Sequence, residues 1–131
     1  MTTELPQQAK DLLDASSFVV LATVNEDGSP QTSVLWASRD GDTVLLSTVR
    51  GRKKERNLTR DPRASLLILD AANPYSYAEV RGSVTLSEEG GDKLINDLSL
   101  AYNGAEYTGD DGTGNVRVVV RLTPEHVVAA G

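Results

Sequence analysis

FVVLATVNEDGSPQTSVLWASRDGDTVLLSTV, residues 18–49, decides the fold. Phe18 to Val24 is β-branched and apolar enough for a buried strand, and Asn25-Glu26-Asp27-Gly28 is a strong hairpin signal. Gln31 to Ala37 reads as the returning strand. Arg39-Asp40-Gly41-Asp42 forms a second turn, and Thr43 to Val49 a third strand. Strands joined by such short Asp-Gly turns build an antiparallel meander, because a parallel crossover needs about a dozen residues or more.

Moving toward the C-terminus, Gly51 permits a turn into a short helix over Arg52 to Thr59, which Asp61-Pro62 stops. Little besides Leu58 anchors that helix, so it is expected over a sheet edge or barrel mouth. Ala64 to Leu69 is a fourth strand, Ala71 to Pro74 a loop, and Tyr75 to Leu86 a long fifth strand. Gly82 marks a bulge or a close approach within it. Glu88 to Tyr102 reads as a helix with Leu94, Ile95, Leu98 and Ala101 at helical spacing. Asn103 to Gly114 is polar and glycine-rich, either a loop over the active site or a disordered tract. Asn115 to Leu122 is a sixth strand with Arg117 and Arg121 on one face, both read as surface residues. Thr123-Pro124 interrupts it before a short continuation over His126 to Ala130. Toward the N-terminus, Leu5 to Ala15 is a short amphipathic helix with Pro6 in its first turn.

The expected fold class is mainly β: an antiparallel barrel of six or more strands with short peripheral helices, one domain over residues 1–131. So short a chain leaves few deep interior cavities, so a sizeable ligand needs a groove, most naturally at a subunit interface. The absence of cysteine excludes disulfides and thiolate chemistry. No signal peptide and no apolar run of membrane-spanning length is visible, so the chain reads as cytoplasmic.

Charge is unevenly placed. Arg50, Arg52, Lys53, Lys54, Arg56, Arg60 and Arg63 supply seven of thirteen basic residues in fourteen positions, against a net charge of -6. A cationic patch on an acidic background suits a discrete anion such as a cofactor phosphate better than a nucleic-acid surface. With His126 the one histidine, neither a nucleophile–base–orienter set nor a histidine zinc site can be assembled. The 103–114 acidic residues lack the calcium-loop pattern. The glycines do not spell a dinucleotide fingerprint. Any reactive centre therefore belongs to a bound cofactor.

The helix, the VLATVNEDGSPQTSVLWAS hairpin, LLSTVRGRKKERNLTRDPRASLLI and SYAEVRGSVTL together resemble the split β-barrel flavin- and deazaflavin-binding family related to pyridoxamine 5'-phosphate oxidases. Within it the chain is most similar to the small actinobacterial oxidoreductases that use coenzyme F420. The resemblance covers nearly the whole chain and is most specific over Ser47 to Ala64. It implies cofactor contacts from Lys54 to a phosphate, with Arg52 beside it and Arg50, Lys53 and Arg56 as further candidates. Ser47 and Thr48 resemble hydroxyl donors near the phosphate, and Asn57 the polar residue at the far edge of the helix. Ser33, Val34, Leu35 and Trp36 resemble the segment that lines the cofactor ring. Tyr75, Ser76, Tyr77 and Glu79 resemble pocket residues contributed by the partner of a homodimer.

The implied activity is hydride transfer from reduced F420 to an electron-poor unsaturated acceptor, such as a quinone, an unsaturated lactone such as a furanocoumarin, or a tetrapyrrole. FMN is the alternative cofactor, and a carrier without turnover the alternative role. Five close cations exceed what one phosphodiester needs, which favours the polyanionic F420. The bland readings stand beside these: Trp36 as barrel core or dimer packing, Tyr77 as strand packing rather than a proton donor, and the basic helix as a solvated surface.

Overall fold

The computed structural model describes residues 2–130. Helix α1 (Gln7–Asp14) is followed by strands β1 (Val19–Val24), β2 (Pro30–Leu35), β3 (Ala37–Asp40) and β4 (Thr43–Val49). Then come α2 (Lys53–Arg60), β5 (Arg63–Leu69), β6 (Tyr77–Ser87), α3 (Gly91–Asn103) and β7 (Arg117–Ala130). The strands form one seven-stranded antiparallel sheet in the order β2-β1-β5-β6-β7-β4-β3.

That order has a geometric consequence. The two edge strands, β2 and β3, are consecutive in the chain with Trp36 alone between them. One residue cannot bridge a flat sheet of this width, so the sheet curls until its edges meet at Trp36, giving a split barrel. Alternate residues point inward, and Val19, Leu21, Val44, Leu46, Leu66, Ile68, Val80 and Leu122 are fully buried. Each such side chain contributes roughly 1.5–3 kcal/mol on leaving water. Both hairpin turns follow from sequence: Gly28 (φ 86°) and Gly41 (φ 60°) take left-handed conformations.

The strand expected over Gln31 to Ala37 is two strands, and the reason lies in α3. The Tyr102 hydroxyl accepts from the Ala37 N–H at 3.0 Å and sits 3.1 Å from the Ala37 carbonyl, close also to the Ser17 carbonyl. Its ring stacks on Trp36, with centroids 5.5 Å apart and planes 20° off parallel. The backbone polar groups freed where the chain leaves one ladder for the other are thus satisfied by a side chain.

Two other boundaries differ. Tyr75 and Ser76 stay outside β6, because the Asp70–Ser76 loop closes on itself through Asp70 N–H to Ser76 O (3.2 Å) and Ser76 N–H to Asn73 O (2.8 Å). Pro124 does not interrupt β7. Arg81 pairs with His126 and Gly82 with Pro124, leaving Glu125 as the extra residue of a bulge, where proline's missing donor is harmless. Gly82 is the close approach expected there: a Cβ on it would lie 2.0 Å from the Thr123 carbonyl oxygen. Among the described residues, no helix is long and apolar enough to cross a membrane.

Candidate functional site

The split opens where β3 stops pairing. The β3–β4 ladder ends at Ala37 opposite Leu46, so Ser47 to Val49 run on past Trp36 without a β3 neighbour. A cavity of about 220 Å3 lies here, beneath α3. One wall is apolar, made by Phe18, Val34, Leu35 and Trp36, with Ile95 and Leu98 of α3 above. The other end is polar and cationic: Ser47, Arg52, Tyr107 and Arg117.

Five residues singled out from sequence therefore meet at one cavity: Val34, Leu35, Trp36, Ser47 and Arg52. Ser33 and Thr48 stand on the two strands flanking the split, and their hydroxyls are buried without a hydrogen-bond partner. A buried hydroxyl left unpaired costs about 1–3 kcal/mol; each of the two adjoins a residue that lines the cavity, Ser33 next to Val34 and Thr48 next to Ser47, without lining it itself. Lys54, half-buried in α2, makes no ion pair among the described residues, and burial followed by the charges of Arg52 and Arg117 pushes its pKa down. Arg52 and Arg117 line the cavity, and Lys54 stands two residues after Arg52 in the chain. The donor set thus fits an anion attached to a flat apolar group.

The remaining sequence-derived residues divide by what they touch. Arg50 is already spent: it donates to Glu55 at 2.8 Å and Glu88 at 3.0 Å, and these carboxylates raise its pKa. Glu55 is itself buried against the Gly51 N–H, held below the usual carboxylate range first by the Arg50 hydrogen bond. Lys53 and Arg56 are exposed. Asn57 is buried and donates to Thr23 Oγ1 (3.0 Å) and Asn25 Oδ1 (2.9 Å), tying α2 to the β1–β2 turn. Together with Glu55 it anchors α2 beyond the expected Leu58.

Tyr75, Ser76, Tyr77 and Glu79 do not reach this cavity within one chain. Tyr75 is 84% exposed, Ser76 accepts from Gln8, Tyr77 begins β6, and Glu79 pairs with Arg81 at 2.8 Å. His126 is exposed at the β7 bulge. A larger depression of about 550 Å3 on the outer face of β1, β5 and β6 includes Arg63 and Arg81. Both are neutralised, by Asp61 at 2.7 Å and Glu79 at 2.8 Å, so it offers an anion little.

Arg117 is where sequence reading went astray. It is 5% exposed rather than a surface residue, because α3 begins directly over it. A Cβ on Gly91 would lie 2.3 Å from the Arg117 carbonyl oxygen. Its guanidinium donates to Asp110 through Nε (2.7 Å) and Nη2 (3.1 Å), to the Tyr107 hydroxyl (2.8 Å), and weakly to Ser47 Oγ (3.5 Å). Its carbon Cζ stands 5.0 Å from the centre of the Tyr107 ring. Tyr102, Tyr107 and Asp110 were not singled out either; the signals were an arginine set in an otherwise apolar strand and the 103–114 tract, read as either a loop over the active site or disordered.

The pyridoxamine 5'-phosphate oxidase family model matches residues 5–129. Among solved structures, one titled F420 reductase is similar at 28% identity and TM-score 0.83, over 95% of this chain and 98% of that one. A conserved hypothetical protein of Mycobacterium tuberculosis matches at 24% identity and TM-score 0.78, over 98% of this chain and 86% of that one. General stress protein 26 of Bacillus anthracis matches at 18% identity and TM-score 0.72, over 95% and 92% of the two chains. Both of these last support the fold alone.

Proposed function

The chain belongs to the pyridoxamine 5'-phosphate oxidase family, and from that premise we propose that it is an oxidoreductase that uses coenzyme F420 to reduce electron-poor unsaturated small molecules. The observation that carries this reading is the split cavity, with an apolar wall around Trp36 at one end and Arg52 and Arg117 at the other. That is the shape and polarity of a flat ring joined to a phosphate. The similarity to an F420 reductase supports the deazaflavin over other ring cofactors. So does the surplus of cations: Arg52, Lys53, Lys54 and Arg56 form no ion pair among the described residues.

Bound F420 would supply the hydride, from C5 of its reduced ring. The chain's own residues would orient and enclose. Trp36, Val34 and Leu35 would offer the ring a wall and keep water from that face. Lys54 and Arg52, with the Ser47 and Thr48 hydroxyls, would hold the phosphate. The one evident acid among the described side chains lining the cavity is the Tyr107 hydroxyl, which accepts from Arg117 Nη2 and keeps its own proton to donate.

At about 220 Å3 the cavity falls below the roughly 300–1,000 Å3 of a complete ligand pocket. In this reading a second copy of the chain completes it and brings Tyr75, Ser76, Tyr77 and Glu79 to it. Exposed Phe18 (53%), Val34 (65%), Tyr75 (84%) and Val128 (41%) are the apolar surface such a homodimer would bury.

The test is a side-by-side titration with F420 and FMN, read by quenching of the single tryptophan, Trp36, and followed by oxidation of reduced F420 with quinone or lactone acceptors. Tight F420 binding with turnover is expected. Preference for FMN would move the protein to the flavin branch, and binding without turnover would make it a carrier. Sedimentation at micromolar concentration with cofactor present is expected to give a dimer mass; a monomer would reject the shared site.

A further inference from the structure

Arg117 is held by one loop. The segment between α3 and β7 is fixed at its near end by Tyr107 N–H to Asn96 Oδ1 (2.9 Å) and Ser99 Oγ to the Ala105 carbonyl (2.7 Å). At its far end, Asp110 closes a turn by accepting from Thr113 on its carbonyl, and it accepts from Asn115 Nδ2 (3.0 Å) on its carboxylate. That carboxylate then takes Nε and Nη2 of Arg117 as a fork. Nearly all of the segment is exposed, whereas Arg117 is buried.

The arrangement is one of scarcity. Arg52 and Arg117 meet at the polar end of the cavity, with Lys54 two residues after Arg52 in the chain, and Asp110 is the one carboxylate paired with any of the three among the described residues. Nη1 of Arg117 has only the 3.5 Å contact with Ser47 Oγ, at the cavity wall, and is the arm left free to take an anion there. A two-bond grip through Nη1 and Nη2 takes the Nη2 hydrogen that the Tyr107 hydroxyl accepts, and it sets the anion's charge against that of Asp110 on the adjacent edge of the same guanidinium.

We infer that Arg117 is a further anchor for the anionic end of the ligand and that Asp110 is its built-in competitor. An incoming phosphate or carboxylate exchanges with the Asp110 side chain, and the 104–116 segment shifts as it is released. The inference rests on the reading of the split as the ligand site, and it adds a specificity device. A ligand without an anionic end leaves the Asp110–Arg117 pair shut, and Tyr107 with it remains over the cavity. The anion is either the cofactor's phosphate or a carboxylate or phosphate on the hydride acceptor.

The experiment follows the backbone amides of Tyr107 to Asn115 by NMR while inorganic phosphate is added to wild type, Asp110→Asn, Arg117→Gln and Arg117→Lys, with melting curves to confirm folding. Phosphate is expected to shift these amides in the wild type. Asp110→Asn, which keeps the shape but drops the charge, is expected to bind about tenfold tighter, a modest share of one near-surface charge interaction. Arg117→Gln is expected to abolish the response. Arg117→Lys, retaining charge without the fork, is expected to weaken it, and it serves if the glutamine variant fails to fold.

Equal or weaker phosphate binding by Asp110→Asn overturns the inference, as does silence of the loop amides in both proteins at tens of millimolar phosphate. Either result leaves F420 or FMN binding by the wild type intact, so the two readings fail separately. With exchange observed, tighter cofactor binding by Asp110→Asn assigns the anion to the cofactor. Unchanged cofactor binding assigns it to the acceptor. Exchange of phosphate by a protein that binds neither cofactor upholds the inference and rejects the cofactor reading.

Discussion

Replacing Tyr102 by phenylalanine isolates the bond that splits the barrel. The stacked and edge-on contacts with Trp36 and Phe18, each at 5.5 Å, survive the change because the ring remains. What disappears is one oxygen that accepts from the Ala37 N–H and donates to a backbone carbonyl. Ala37 is 2% exposed, so its N–H is left without water or partner. An orphaned buried donor costs about 1–3 kcal/mol, so we expect a loss of about 2 kcal/mol. With a urea dependence of roughly 1.5–2 kcal/mol per molar for a chain of this size, the midpoint should fall by about 1 M. The assay is equilibrium urea unfolding by circular dichroism and by Trp36 fluorescence, with Tyr75→Phe, a change at an exposed ring, as control. A loss under about 0.5 kcal/mol, the scale of an ordinary surface substitution, would refute the claim that this hydroxyl holds the seam.

Lys54→Ala is expected to weaken F420 or FMN binding about tenfold or more, the scale of one charge-assisted hydrogen bond, without lowering the melting temperature. Unchanged affinity in a fluorescence titration would remove Lys54 from the site. Gly82→Ala forces a Cβ to within 2.0 Å of backbone at Thr123, so a loss of about 2–3 kcal/mol is expected by denaturant unfolding; a neutral result would show that the bulge can move. Acid should loosen the molecule where Glu55 and Asp110 grip arginines. Their pKa values are lowered by Arg50 and Arg117 respectively, so the stability they give is present above the free carboxyl range near about pH 4 and is lost as pH falls through the lowered values. Melting curves from pH 7 to pH 3 should therefore show a shallower acid slope for Asp110→Asn than for wild type, and parallel slopes would count against that pair.

The elements legible in the sequence were those whose cause is local. Asn25 to Gly28 and Arg39 to Asp42 encode their own turns, Gly82 its own bulge, and the change of composition at Gly51 its own helix. The break at Trp36 was illegible because the apolar alternation runs straight through it; its cause is Tyr102, sixty-five residues away. Pro124 was read as an interruption of its strand, because the bulge that absorbs it depends on Gly82 across the sheet. The basic cluster was legible as composition and overcounted as charge, since Arg50 is paired with Glu55 from the helix that follows it and Glu88 from beyond β6. Arg117 looked exposed because its counter-ion Asp110 sits in a polar loop whose sequence does not say which strand residue it covers. Charge partners distant in sequence are what a single chain read in order does not display.

The split and the charge pattern explain one another. A closed barrel of this size fills its interior with side chains, as Leu21, Leu46, Leu66 and Leu122 do here, and has no room for a cofactor. Ending the β3–β4 ladder at Ala37 frees the last turn of β4 from its neighbour, and that strand leads directly into Arg52 and Lys54. The opening in the sheet and the unpaired cations are thus consecutive in the chain, set within a few residues of one another by covalent geometry rather than by packing. An acidic protein repels an anion over most of its surface, so the few cations left unneutralised at the opening define where one can dock. Asp110, reaching in from the far side of α3, neutralises the one member of the group that is buried. Tyr102, at the other end of that loop, holds the seam that makes the opening. One segment therefore borders both the width of the split and the charge inside it.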